Sequence, residues 1–261
     1  MRKIFISLIL IITACAPPHD VISQTGETPA SDFYKYISSV ELPDKLDFCG
    51  EPVPLDDPEV RERAEREFYL LLQQPGQIML YLKRSGRYFP MFEKHLKEND
   101  MPEDLKYMAV AESALYQAIS HAGAVGIWQF MKGTARLMGL HVSNYVDERR
   151  HPEKATIAAL KYLKQGYAKQ GSWTLSAAGY NMGHGSVSKN LEFQSGDIYY
   201  ELYLNPETSR FLFRIVIIKE LMKNAEKYGF ILDPEDYWKP HDVKIIKWKD
   251  EDFKKRIKNI L

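Results

Sequence analysis

Glu112 is the residue of this sequence best placed to do chemistry. It stands in Ala109-Val-Ala-Glu-Ser-Ala-Leu115, and Leu105, Met108, Ala109, Glu112 and Tyr116 follow one another at steps of 3, 1, 3 and 4. That spacing places the carboxyl on the apolar stripe of a helix. Desolvation there raises a carboxyl pKa, whereas nearby positive charge lowers it. If desolvation wins, Glu112 holds a proton near neutral pH and can act as a general acid. The alternative is a structural glutamate bonded to backbone or to an arginine.

The charge pattern isolates this acid. Between Leu105 and Leu191 there are four acids, Glu112, Asp147, Glu148 and Glu153, against ten Lys and Arg. The last three acids crowd beside a helix start, where carboxylates have capping work. The excess of basic residues favours an anionic polymer as a partner. The whole chain has 35 basic and 35 acidic residues, so its net charge makes no case for nucleic acid. His121, His141, His151 and His184 do not fall in a His-Glu-x-x-His pattern. Neither a Gly-rich phosphate loop nor a Cys-x-x-Cys pair is present, so we expect no metal and no cofactor.

The elements that must position Glu112 read as helices, with few or no strands. Asp56-Asp57-Pro58-Glu59 looks like a helix start with Asp56 as N-cap and Glu59 completing a capping box. Val60, Ala64, Phe68 and Leu71 continue it, and Gln74-Pro75-Gly76 ends it. Two short helices are expected over 77–87 and 90–99, broken near Gly86. Asp100-Met-Pro-Glu103 repeats the capping pattern before the Glu112 helix. Irregular chain follows through Gly123, Gly126 and Gly133. Further helices are predicted over 134–138, 153–169, 173–180 and 206–228, the last closed by Gly229. A short strand and a helix are expected beyond Lys244.

The N-terminus reads as an export signal. Met-Arg-Lys precedes an apolar run too short to span a bilayer, then Thr13-Ala14-Cys15. Ile12-Thr13-Ala14-Cys15 resembles a bacterial lipobox, which implies cleavage after residue 14 and acylation of Cys15. Residues 16–47 lack periodicity and read as a tether. With Cys15 lipidated, Cys49 has no disulfide partner, and burial beside Phe48 is its expected fate.

Glu112-Ser113, Gly123-Ala-Val-Gly-Ile-Trp-Gln-Phe-Met131 and Ala177-Ala-Gly-Tyr-Asn-Met-Gly183 occur in that order. Together they resemble the lytic transglycosylases of the goose-lysozyme-like superfamily. Phe48-Cys-Gly-Glu-Pro-Val-Pro54, Lys83-Arg-Ser-Gly-Arg-Tyr-Phe-Pro90 and Asp147-Glu-Arg-Arg150 narrow the likeness to the membrane-bound murein D type, over roughly residues 48–230. The resemblance implies a mainly α, lysozyme-like domain (SLT domain) over 101–230. It would be preceded by a signal peptide (1–14), a lipidated tether (15–47) and an N-terminal helical region (48–100), and followed by a C-terminal extension (231–261).

It also implies cleavage of the β-1,4 bond between N-acetylmuramic acid and N-acetylglucosamine, with 1,6-anhydro-muramic ends. Glu112 would be acid and then base. Ser113, Trp128, Gln129, Phe130, Tyr180 and Asn181 would bind substrate, with simple core packing an equal reading for Trp128 and Phe130. Ordinary glycosidases use two carboxylates; no second acid lies near Glu112 in sequence, though a distant one could fold into place. The expected partners are peptidoglycan glycan strands and a membrane holding the lipid. Ala16 after the cysteine favours the outer membrane of the cell envelope. A lysozyme-type hydrolase and an idle peptidoglycan-binding protein are the alternatives. The chain departs from the family pattern at Gly179, where many relatives have Ala, and at Met182 and His184.

Overall fold

A computed structural model of the chain describes residues 29–241. The export signal, Cys15 and the strand and helix expected after Lys244 lie outside the described residues. The described residues belong to two units. In the first, α1 (Pro29–Ser39) is the described element, a helix inside the span read as tether. The second, from Val40 onward, is mainly α.

That second unit opens with a two-residue hairpin, β1 (Asp47–Phe48) and β2 (Glu51–Pro52), with Asp47 opposite Pro52. Its helices are α2 (Pro58–Leu72), α3 (Pro75–Glu98), α4 (Lys106–Ser113), α5 (Lys132–Leu137), α6 (Pro152–Gln170), α7 (Trp173–Met182), α8 (His184–Gln194) and α9 (Pro206–Lys223). Single 3₁₀ turns at Glu103–Leu105, Glu148–Arg150, Tyr199–Glu201, Ala225–Tyr228 and Pro234–Asp236 link or follow them.

Helix α9 is apolar nearly all round, with Phe211, Leu212, Phe213, Ile215, Val216, Ile217 and Ile218 buried. Such a helix must lie at the centre of its domain, and α2, α4 and α7 pack against it. Asn205 caps its start, accepting from the backbone N–H of Glu207 and Thr208, with Pro206 in the first turn.

Several local expectations are corrected. Asp57, not Asp56, caps α2, through bonds from Glu59 and Val60. The two short helices expected after residue 76 form the single helix α3, which runs through Gly86 and Pro90. Pro90 cannot bond the Gly86 carbonyl, but Ile78, Leu82, Phe92 and Leu96 bury a continuous stripe that holds the helix together. Gly86 is small because the 234–238 segment crosses it; a Cβ there would lie 2.7 Å from Tyr237 Cβ. Asp100 adopts φ 52 and caps nothing; the Glu103–Leu105 turn starts after Pro102 instead. Helix α9 stops at Lys223, and a 3₁₀ turn carries the chain to Gly229. Helix α8, whose N-cap is Gly183, had no recognisable start signal.

The hairpin ties distant elements to the centre. Lys219 of α9, almost buried, reaches the Asp47 carboxylate at 2.9 Å and that of Asp104 at 2.6 Å. Asp104 also accepts from the Cys49 backbone N–H. Cys49 is a free, largely covered thiol, pushed up by burial and then by the Asp104 carboxylate. Glu51 acts as a cap supplied from outside the helix. It accepts from the backbone N–H of Trp173 (2.5 Å) and Thr174 (3.0 Å), and from the hydroxyls of Ser172 and Thr174. Those N–H groups are orphans at the α7 start, and a carboxylate there also meets the positive end of the helix dipole. Glu51→Ala is expected to lower unfolding stability by about 2 kcal/mol in urea denaturation. A loss within error of zero would refute the capping role.

Candidate active site

Helix α4 ends abruptly one residue after Glu112. Ala114 (φ 55) and Leu115 (φ 57) are both left-handed. Ala114 still donates to Val110 O at 2.7 Å, and Arg84 of α3 donates to the Ala114 carbonyl at 2.9 Å, closing the helix terminus. The stripe therefore stops at Glu112. Tyr116, expected to continue it, swings out to 61% exposure, while Leu115 turns into the core.

Glu112 lies at a cleft of about 370 Å³. Gln129, Phe130 and Met131 of the following loop border it, with Tyr162 of α6, Tyr180 and Asn181 of α7, and Glu207 of α9. A larger hollow of about 520 Å³ lies beside α2 and the Tyr199–Glu201 turn. Its acids, Asp57, Glu59 and Glu201, are exposed, whereas Glu112 is half-buried, so the smaller cleft is the chemical candidate.

No hydrogen bond or ion pair to Glu112 is made among the described residues. Burial lifts its carboxyl from 4.5 to about 8, the Glu207 carboxylate adds to the rise, and Arg214 opposes both. Arg214 is itself drawn to Glu67, 3.9 Å away, a nearly fully buried acid also paired with Arg66 and Arg210. Arg214 is the weakest of these three influences, and desolvation decides.

The loop from 116 to 131 is fixed by the Asp147–Arg150 segment. Arg149 is buried, pairs with Asp147 at 2.7 Å, and donates to the carbonyls of Gly123 and Phe130, both at 3.1 Å. Gly126 (φ +87) lets the Arg149 backbone approach; a Cβ would stand 2.0 Å from its carbonyl oxygen.

Of the residues singled out in sequence, Glu112, Gln129, Phe130, Tyr180 and Asn181 meet at the cleft. Trp128 does not line it: the indole is 1% exposed, packs on Phe92 and donates to Thr156 at 2.9 Å. Ser113 is turned inward and donates to Ile127 O at 2.8 Å, pinning the end of α4 to the loop. Gln129 sits at φ 48 with its amide nitrogen donating to Gly126 O, so half of that side chain shapes the loop. Tyr180 does not bond Glu112; its hydroxyl donates to Trp128 O at 2.7 Å. Burial, then the Glu112 charge, keeps that phenol protonated. Asn181 donates to Glu207 at 3.0 Å and accepts from Thr208 at 2.7 Å.

Sequence reasoning missed Glu207 and Tyr162. Glu207 follows Asn205-Pro206 and reads as an ordinary first-turn acid, 95 residues from Glu112. The adjacent run of apolar residues in α9 was the one available sign that this helix start is anchored in the core. Among the described residues no group of three or more His, Cys, Asp and Glu gathers to hold a metal.

A raised carboxyl is a stability statement. Protonated Glu112 favours the fold fully below 4.5, and that contribution is lost as pH rises through about 8. Glu112→Gln should therefore raise the melting temperature relative to the unsubstituted chain more above pH 8 than at pH 4. An equal shift at both values would contradict the raised carboxyl.

Residues 89–201 match the family model described as the transglycosylase SLT domain. The chain is also similar to the membrane-bound lytic murein transglycosylase D of Escherichia coli strain K12, at 29% identity over 196 residues, covering 72% of this chain and 43% of that protein. The protein of the same description from Escherichia coli O6:H1 gives the same values. The chain thus spans less than half the length of these curated relatives. The stretch similar to the transglycosylase SLT domain contains Glu112 and most of the residues lining its cleft.

Proposed function

We propose that this protein cleaves peptidoglycan glycan strands as a lytic transglycosylase, with Glu112 as the proton donor. The observation that carries this reading is a carboxyl with no hydrogen-bond partner among the described residues, lifted to about 8, in a cleft most of whose lining falls within the SLT match. Such a group is protonated at neutral pH and can deliver its proton to a leaving glycosidic oxygen. The resulting carboxylate is then a base strong enough to take the proton of the muramic C6 hydroxyl as that oxygen attacks C1. The ring closes, the leaving sugar departs with the first proton, and Glu112 is again protonated. Tyr180 offers the cleft an aromatic face for a sugar ring, backed by the buried Phe130, and Asn181 and the side-chain carbonyl of Gln129 offer polar contacts.

One observation favours a hydrolytic second reading: Glu207, a second carboxylate, borders the same cleft. Its hydrogen bond from Asn181 and its proximity to Glu112 suit instead a fixed negative charge that helps keep Glu112 protonated. Lipid attachment at Cys15 and a place on the periplasmic face of the outer membrane belong to the same proposal. They are supported by residues 1–15 and by the membrane-bound description of the relatives. No described helix is long and apolar enough to cross a membrane.

Digesting purified peptidoglycan with residues 16–261 and weighing the muropeptides tests the reaction. Anhydro-muramic ends are expected; reducing muramic ends would replace the proposal by hydrolysis, and uncut glycan would leave binding alone. Glu112→Gln should lower the rate at least about 1,000-fold. Glu207→Gln should move the alkaline limb of the rate profile to lower pH, because it removes a charge that raises Glu112. An unmoved limb would remove Glu207 from that role.

A further inference from the structure

Two of the positions where the chain departs from its family pattern meet in space. The imidazole of His184, the first residue of α8, lies against Gly179 of α7 and Gly166 of α6. A Cβ on Gly179 would stand 2.1 Å from Nδ1, and one on Gly166 would stand 2.2 Å from Cε1. No alanine fits at either position while the ring is there. With its proton on Nε2, the ring donates to Tyr162 O at 3.1 Å; Nδ1 is buried with no partner.

The contacts run on into the cleft. The Tyr162 ring lies 4.3 Å from the imidazole, centroid to centroid, and meets Tyr180 edge-on at 5.6 Å. Both tyrosines border the cleft, and the Tyr180 hydroxyl holds Trp128 O, one residue before Gln129.

We propose that His184 is a positioning residue: its ring, seated in the space left by Gly166 and Gly179, sets the Tyr162–Tyr180 wall of the Glu112 cleft. The groups facing it from α6 are the Tyr162 ring and carbonyl, Gln170, whose amide donates to the His184 carbonyl, and the Lys169 ammonium. From α7 it faces Gly179, and Ser176, whose hydroxyl donates to Leu163 O. Protonating Nδ1 would place an N–H on a buried atom with no acceptor, near a lysine. Burial and then Lys169 resist it, and the Tyr162 carbonyl offsets them only in part, so the ring titrates below its ordinary 6.5. The wall is firm above that range and is lost as pH falls through it. The alkaline limb of activity belongs to Glu112 and the acid limb to His184.

This inference rests on the cleavage reading, and its test separates the two. Rates on soluble glycan strands are compared for Gly179→Ala, His184→Ala, the double variant and His184→Gln, which keeps a donor for Tyr162 O but cannot be protonated. Gly179→Ala alone should lower kcat about tenfold or more, yet change kcat less than about twofold once His184 is Ala. His184→Gln should retain most of the kcat and lose the acid limb. Equal damage from Gly179→Ala in both backgrounds, or an acid limb intact in His184→Gln, would overturn the proposal. If the unsubstituted chain leaves strands uncut, the cleavage reading fails by itself. The same cycle is then read in the tyrosine region of the near-ultraviolet circular dichroism. Non-additive changes there uphold the wedge, and additive ones overturn it.

Discussion

A carboxyl half-withdrawn from water and given no partner among the described residues is the constraint to which the second unit is fitted. Unpaired burial of an ionised Glu112 would cost several kcal/mol, so the side chain keeps its proton, at about 8. The surroundings avoid undoing this. The near-fully buried Glu67 gathers Arg66, Arg210 and Arg214 to itself, which leaves Arg214 a weak counter-charge for Glu112. Glu207 faces the cleft with its own charge and strengthens the bias.

Geometry follows from the same need. A helix that continued past Glu112 would cover it. Two left-handed residues end α4 at Ala114 instead, Arg84 closes the terminus, and Ser113 ties it to the loop at Ile127. Arg149 holds that loop through two carbonyls, and Tyr180 holds it through a third. The loop is irregular backbone, yet it is held by side chains that are themselves buried and paired, and this lets it form a wall. On the opposite side Glu51 fixes the start of α7, the helix carrying Tyr180 and Asn181.

Much of this was legible in sequence, for reasons that can be named. The 3.6-residue period of residues 105–112 showed Glu112 to be on the apolar face, because local geometry alone sets that position. The starts expected for α2, α6 and α9 fall within a residue or two of those observed. Where tertiary contacts decide, local signals failed. Gly86 and Pro90 read as a break, but the buried stripe on one side of α3 and the chain crossing Gly86 on the other keep the helix whole. Tyr116 read as core, since nothing local announces two left-handed residues in Ala-Leu. Trp128 read equally as wall or core, because an indole suits either; Thr156, 28 residues on, settles it for the core. Glu207 was invisible as a site residue because a first-turn acid is what any helix start favours. His184 and Gly179 stood out only as oddities until the fold set one against the other.

The central claim is that burial, not ion pairing, sets the protonation of Glu112. It is tested most directly by following the carboxyl ¹³C resonance of Glu112 through a pH titration, assigned by comparison with Glu112→Gln. A midpoint near 8 is what the cleft demands. A midpoint near 4.5 would mean that the carboxyl is solvated or paired, and the account of this site would fail.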